Sequence, residues 1–148
     1  MEKKIMASLF ERVENEDYAR KLGIQLIALD QGRAIVEMEP KEDNLNIFDM
    51  THGGAIFSLI DEAFQVSCNS YGTVAVALNM MVTFHKSPDI RSRLRAESRE
   101  IHRSRKTATY EIKVTDEKNA PIASCQAMAY LKRDKLPFLE NVEEHAKF

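Results

Sequence analysis

Two features of this chain could do chemistry together. One is His52-Gly53-Gly54, which stands directly before a long apolar segment. The other is Asp61, embedded in that segment. Glycines let a backbone turn sharply and let a ligand come close. A helix start adds unpaired N–H groups and the positive end of the helix dipole. If a helix begins at Gly53-Gly54, the two together form a cradle for an oxyanion, such as a carbonyl under nucleophilic attack. A glycine turn packed against a sheet is the plainer reading of the same residues.

Asp61 is a carboxylate among apolar neighbours. Phe57 and Phe64 flank it at i−4 and i+3, and the segment is apolar on nearly every side of a helical projection, the pattern of a buried helix. A buried carboxylate is costly unless paired, and desolvation raises its pKa toward the range of a base. The other reading places Asp61 in water beside Glu62. Gly54 and Asp61 are seven residues apart, about 10 Å along a helix. A base or nucleophile and an oxyanion donor must each come within about 3 Å of one reacting group. A single helix does not easily do both. A second copy, antiparallel across a two-fold axis, can, so the spacing points to a homodimer with shared sites.

The elements that must position these residues follow from periodicity. Ile5, Leu9 and Val13 fall at helical spacing. Asn15 offers an N-cap for a short helix over 16–22, which Gly23 stops. Strands are predicted over 24–29 and 33–39, joined by Asp30-Gln31-Gly32. A polar loop covers 41–51, and the buried helix covers 52–70. Four strands follow over 74–85, 94–103, 107–115 and 122–132. The charged strand 94–103 is expected along an edge, and the tail from Pro137 to Phe148 is expected to fray. One helix covered by one sheet makes an α+β fold, with residues 1–148 as a single domain.

Composition narrows the function classes. The chain has 21 basic and 23 acidic side chains, a balance that favours neither nucleic acid nor membrane as partner. The start Met1-Glu2-Lys3-Lys4-Ile5 is charged, unlike a secretory signal. No apolar run reaches the roughly 18 residues of a membrane span, so the cytoplasm is the expected location. Cys68 and Cys125 read as buried free thiols. Histidines 52, 85, 102 and 145 are scattered, and neither a metal nor a cofactor is expected.

One segment resembles a known family. Asn46, His52-Gly53-Gly54, Phe57-Ser58-Leu59, Asp61, Ala63-Phe64 and then Cys68-Asn69-Ser70 with Gly72 are similar to the signature of hotdog-fold acyl-CoA thioesterases of the phenylacetic-acid-degradation branch. The resemblance implies an antiparallel sheet wrapped around one long helix, preceded by N-terminal helices, and hydrolysis of an acyl-CoA thioester in a homodimer or a tetramer. It implies that Asp61 is the nucleophile or general base and that Gly54 donates its N–H to the thioester oxygen. His52 would orient the loop, and Asn46 would position water or the partner chain's carboxylate. Phe57, Phe64, Met80 and Met81 are candidates for the acyl pocket; Arg103, Arg105 and Lys106 are candidates for coenzyme A phosphates, with Ser104 of the same turn as a substrate-binding candidate. Core packing and a solvated basic turn are the alternatives for those two sets. Asp49 stands where the family commonly has Gly, and Ser104 departs from a Gly in the turn before Arg105. A non-catalytic acyl-CoA-binding module is the alternative function.

Overall fold

The computed structural model describes residues 1–139. Helices α1 (Glu2–Glu14) and α2 (Asp17–Leu22) precede a hairpin of β1 (Gln25–Asp30) and β2 (Arg33–Met38). The long helix α3 (Gly53–Asn69) comes next, then β3 (Thr73–Phe84), β4 (Leu94–Arg103), β5 (Thr107–Thr115) and β6 (Pro121–Lys135). The six strands form one antiparallel sheet in the order β1-β2-β4-β5-β6-β3. α3 touches every strand, so the sheet curls around it in the expected hotdog architecture.

Strand periodicity builds the main core. Ala108, Tyr110, Ile112 and Val114 of β5 all point inward, and so do Ala123, Cys125, Ala127 and Ala129 of β6. The small residues of β6 leave room for Ile56, Leu59, Ile60 and Ala63 of α3. α1 makes a second core through Ile5, Leu9 and Val13, against Ala34, Val66 and Leu136.

Three expectations are corrected. Strand β4 is interior, and the sheet's edges are β1 and β3. Leu94, Ala96 and Ser98 of β4 face inward, while its outward charges meet cross-strand partners, as in Arg33–Glu97 at 2.8 Å and Arg95–Glu37 at 3.8 Å. Asn15 closes α1 rather than opening α2: its backbone and side-chain amides both donate to Glu11 O, at 3.1 and 2.9 Å. Pro137–Leu139 forms a 3-10 turn whose Phe138 and Leu139 pack on the second core. The rest of the expected fraying tail, and His145, lie outside the described residues.

The Cys68-Asn69-Ser70 run ends α3 and holds it to the sheet. Asn69 bonds Ala75 through both halves of its amide, accepting from the Ala75 N–H at 2.8 Å and donating to its carbonyl at 3.1 Å. Buried Ser70 Oγ accepts from the Gly32 N–H at 2.8 Å and donates to Ser67 O at 2.7 Å. α3 is thereby fixed in rotation and height, which decides where its Asp61 points.

Candidate active site

The start of α3 is capped by a ring. His52 has extended backbone (φ −63°, ψ 135°), and its Nδ1 accepts from the Gly54 N–H at 2.8 Å. An imidazole thus does what Ser or Asp does at most N-caps. Its carbonyl accepts from the N–H groups of Ala55 and Ile56. In this first turn, the Gly53 N–H alone has no acceptor among the described residues. A Cβ on Gly54 would stand 3.0 Å from His52 Nδ1, so glycine at 54 makes room for the cap. The donor expected at Gly54 is therefore engaged, and Gly53 presents the open one.

The loop before the helix is set by Asn46. Its Oδ1 accepts from the N–H groups of Phe48 and Met50, at 2.8 and 3.1 Å, and its own N–H donates to Met50 O at 2.7 Å. Asp49 adopts φ +56°, the left-handed region where a glycine carries no Cβ penalty. Phe84, at the end of β3, brings its ring beside Gly53: a Cβ there would lie 3.5 Å from Phe84 Cζ.

Asp61 is exposed, which corrects its expected burial. Gly54, Phe57, Asp61 and Gln65 make one accessible line along α3, at the spacing of neighbours on one helix face. The buried acid is the next residue, Glu62, at 4% exposure. Gln65 Nε2 donates to Glu16 Oε2 at 2.9 Å and to Glu62 Oε1 at 3.3 Å, which ties α3 to the cap of α2. Desolvation and then the charge of Glu16 raise the Asp61 pKa above the usual carboxylate range. Burial, then the charge and hydrogen bond of Glu16, then the charge of Asp61 push Glu62 up to about 8. Glu62 is thereby biased toward its protonated form, which lessens the negative charge beside Asp61. That arrangement suits a base that must ionise.

The remaining candidates divide. Phe57 is partly exposed on the Asp61 face, and Met80 is half-buried against the main core. Phe64 is core: it is 1% exposed and meets Tyr110 edge-on, with ring centroids 5.5 Å apart. Met81 is 75% exposed. Successive strand residues face opposite sides, so Met80 and Met81 cannot line one pocket. The turn Ser104-Arg105-Lys106 lies at the far end of α3. Arg103, just before it, stacks 3.8 Å from the ring centroid of Tyr71, which follows the helix C-terminus. α3 has 17 residues, so about 25 Å of helix separates that end from Gly53. One chain does not bring the basic turn to the open N–H. Phe84, Glu16, Glu62 and Gln65 stand near the candidate site, and sequence reasoning did not single them out. Glu62 was visible as the neighbour of Asp61, whereas nothing local signalled the approach of Glu16 or Phe84.

A family model described as the thioesterase superfamily matches residues 48–123, just over half of the chain, and spans the capped helix start, Asp61 and Phe84. The chain belongs to the thioesterase superfamily. It is similar to a superfamily relative in Escherichia coli K12 named acyl-coenzyme A thioesterase PaaI. The two are 34% identical over 110 residues, which are 74% of this chain and 79% of the relative. The solved structure of the E. coli PaaI protein from the phenylacetic acid degradation operon superposes with a TM-score of 0.86 at 29% identity, covering 91% of this chain and 98% of that one. A Streptococcus mutans structure with acetyl-CoA bound superposes with a TM-score of 0.73 at 25% identity, covering 76% of this chain and 91% of that one. No helix among the described residues is long and apolar enough to cross a membrane.

Proposed function

We propose that this superfamily member hydrolyses acyl-CoA thioesters as a homodimer, with each site shared between subunits. One observation carries the reading. The open Gly53 N–H stands at the start of α3 and Asp61 on its accessible line, yet they are eight residues apart, about 12 Å. That distance is too long for one carbonyl within one chain and suits an antiparallel pair of helices. Strand β3 offers the pairing edge: it is an edge strand of 12 residues with no strand on its outer side among the described residues, and Val76, Leu78 and Phe84 are exposed along it. Long unpaired edges of this kind favour pairing with another chain. In such a pair the basic turn of one subunit comes to the helix start of the other, which lets Arg105 and Lys106 meet coenzyme A phosphates. The E. coli relative's name and the acetyl-CoA in the S. mutans neighbour support the substrate class.

The chemistry follows from the geometry. The thioester oxygen accepts from the Gly53 N–H, where the helix dipole stabilises the developing oxyanion. Asp61 of the other subunit takes a proton from water as the water oxygen bonds to the carbonyl carbon; alternatively, it attacks that carbon itself. In the second route the C–S bond breaks to leave an acyl–Asp61 anhydride, which water then hydrolyses; in both routes the leaving thiolate takes up the proton released by water, and the products are the free acid and the coenzyme A thiol. His52 holds the helix start in shape, and Asn46 holds the loop beside it.

Thiol release from a panel of short, medium and aromatic acyl-CoAs tests the activity. Tight binding without thiol release would leave a binding module instead. Mixing two inactive homodimers, Asp61→Ala and Asn46→Ala, tests the sharing. A mixed dimer has one site with both lesions and one with neither, so random pairing restores about one quarter of the parent activity. Mixed dimers that form without any recovery would mean that both residues serve one chain.

A further inference from the structure

Helix α2 is tied to α3 on both sides of Asp61. Tyr18 Oη lies 2.7 Å from Ser58 Oγ, which gives its own hydrogen to Gly54 O at 2.8 Å, so the phenol is the donor. Glu16, two residues earlier, accepts from Gln65. Ser58 comes three residues before Asp61 and Gln65 four after it, so the two ties bracket the carboxylate. Around the helix axis Ser58 lies about 60° to one side of Asp61, and Gly53 about 80° to the other. The start of α2 and the Phe84 end of β3 therefore flank the accessible line of α3 on opposite sides. Tyr18 is 59% exposed, although its hydroxyl is bound to a serine that is only 8% exposed. Ala19, the next residue, is fully buried in the main core. The tyrosine is thus held at its hydroxyl and at its backbone while more than half of it stays open to solvent.

We propose that Tyr18 is a specificity-determining residue whose ring meets the first carbons of the acyl group beyond the thioester carbonyl. The proposal rests on the thioester reading above. Three features argue for it. The first is reach. Side chains three apart on a helix are neighbours, with about 5–6 Å between Cβ atoms, and a carbonyl acted on by Asp61 comes within about 3 Å of it. A ring bound to Ser58 is then in contact range of the atoms next to that carbonyl. The second is direction. In the proposed pair, coenzyme A runs toward the partner's helix start and the basic turn that meets it, on the β3 flank. The acyl group leaves the carbonyl the other way, toward α2. That flank is acidic, with Glu16 and Asp17 just before Tyr18, which disfavours a polyanion and suits the acyl end. The third is preorganisation. A ring already held in place loses little freedom when a ligand packs on it.

The test uses the full chain, non-hydrolysable thioether analogues of acetyl- and hexanoyl-CoA, and free coenzyme A, with dissociation constants from calorimetry. Thiol release from the matching thioesters is measured in parallel. Tyr18→Ala removes the ring. The preference for hexanoyl over acetyl, as a ratio of dissociation constants, should fall about tenfold, the worth of one to two methylenes in contact. Free coenzyme A should bind as it does to the parent. Tyr18→Phe keeps the ring and should keep most of the preference. Tyr18→Gln can still donate to Ser58 but has no ring. It should lose the preference as the alanine variant does, which keeps the proposal testable if that variant does not fold. The proposal fails if a folded variant without the ring keeps the parent ratio, or if Tyr18→Phe loses as much as Tyr18→Ala. It fails too if all ligands weaken equally, as a purely structural tie between α2 and α3 would give, or if free coenzyme A weakens as much as the hexanoyl analogue. The expected ratios without thiol release in the parent would uphold the role of Tyr18 and sink the hydrolase reading. A parent that binds none of the analogues would sink both.

Discussion

Glu62→Gln removes a titrating group from the interior while nearly preserving its shape. Glu62 is 4% exposed, and its pKa rises from the ordinary 4.5 to about 8, chiefly through burial and then through Glu16. The unfolded chain releases the same proton near 4.5. Between those values the folded chain holds a proton that the unfolded chain has lost. Stability from this group is therefore fully present below about pH 4.5 and drains away as pH rises toward 8. At about 1.36 kcal/mol per pH unit, the whole gap is worth at most ~5 kcal/mol. Because Glu16 and Asp61 share the charge, a loss on the order of 2–3 kcal/mol is expected between pH 5 and 8. That is a large part of the 5–15 kcal/mol typical of a domain. Urea unfolding followed by circular dichroism at pH 5, 6, 7 and 8 would measure it. The parent curve should fall across the series, while the glutamine variant, which can still donate to Glu16, should show a much flatter one. If the two proteins differ by the same amount at every pH, Glu62 does not carry a proton into the fold and the account of this cluster is wrong.

The other predictions concern the site itself. Asp61→Asn should lose 10²-fold or more in kcat, with KM little changed, because the base or nucleophile goes and the shape stays; thiol release near the parent rate would refute the assignment. Gly53→Ala should raise Tm slightly, since alanine restricts the unfolded chain more than glycine, worth about 0.4–1 kcal/mol where the backbone is compatible, and its Cβ makes only an ordinary 3.5 Å contact with Phe84. The same methyl crowds the open N–H, so kcat should fall tenfold or more; a calorimetric scan showing a raised Tm alongside parental kcat would remove Gly53 from the chemistry. Glu16→Gln removes the second cause of the raised Asp61 pKa. Asp61 acts ionised, so activity is lost as pH falls through its pKa, and the acid limb of the kcat/KM profile should move to lower pH; an unmoved limb would mean that Glu16 does not act on Asp61.

The architecture was legible because its periodicities are clean. Ala108, Tyr110, Ile112 and Val114 alternate with polar residues, and all four are buried. The glycines before the long apolar segment marked the start of α3, and the spacing to Asp61 pointed to a second copy. The rotation of α3 was not legible. Its accessible line contains Phe57 as well as Asp61 and Gln65, so no polar face stood out in the sequence. Asp61 and Glu62 are adjacent acids about 100° apart around the helix axis. Which of them is covered depends on the rotation that Asn69 and Ser70 fix through Ala75 and Gly32, contacts that local sequence cannot foresee. Strand β4 misled for a related reason. Its alternating charges read as an edge, whereas the structure pairs them across the outer face of an interior strand.

The misplaced pocket residues argue further for a partner. Phe64 and Met81 were grouped with Phe57 and Met80 by sequence proximity, and the fold sends one of each pair elsewhere: Phe64 into the core, Met81 to the outside of the sheet. What is left around Asp61 on one chain is a half-wall of Phe57 and Gln65 beside the edge strand β3. Such a surface does not exclude water, and an oxyanion donor gains most where water is excluded. On one chain alone, the carbonyl end of a thioester placed at Asp61 would remain in solvent. A second chain that pairs along β3 with its α3 antiparallel would cover that end, bring an open Gly53 N–H to Asp61, and set its own Arg105 and Lys106 beside the coenzyme A that leaves. The division of labour then follows from geometry. In that pair one subunit would supply the Asp61 carboxylate, and the other would hold the carbonyl oxygen.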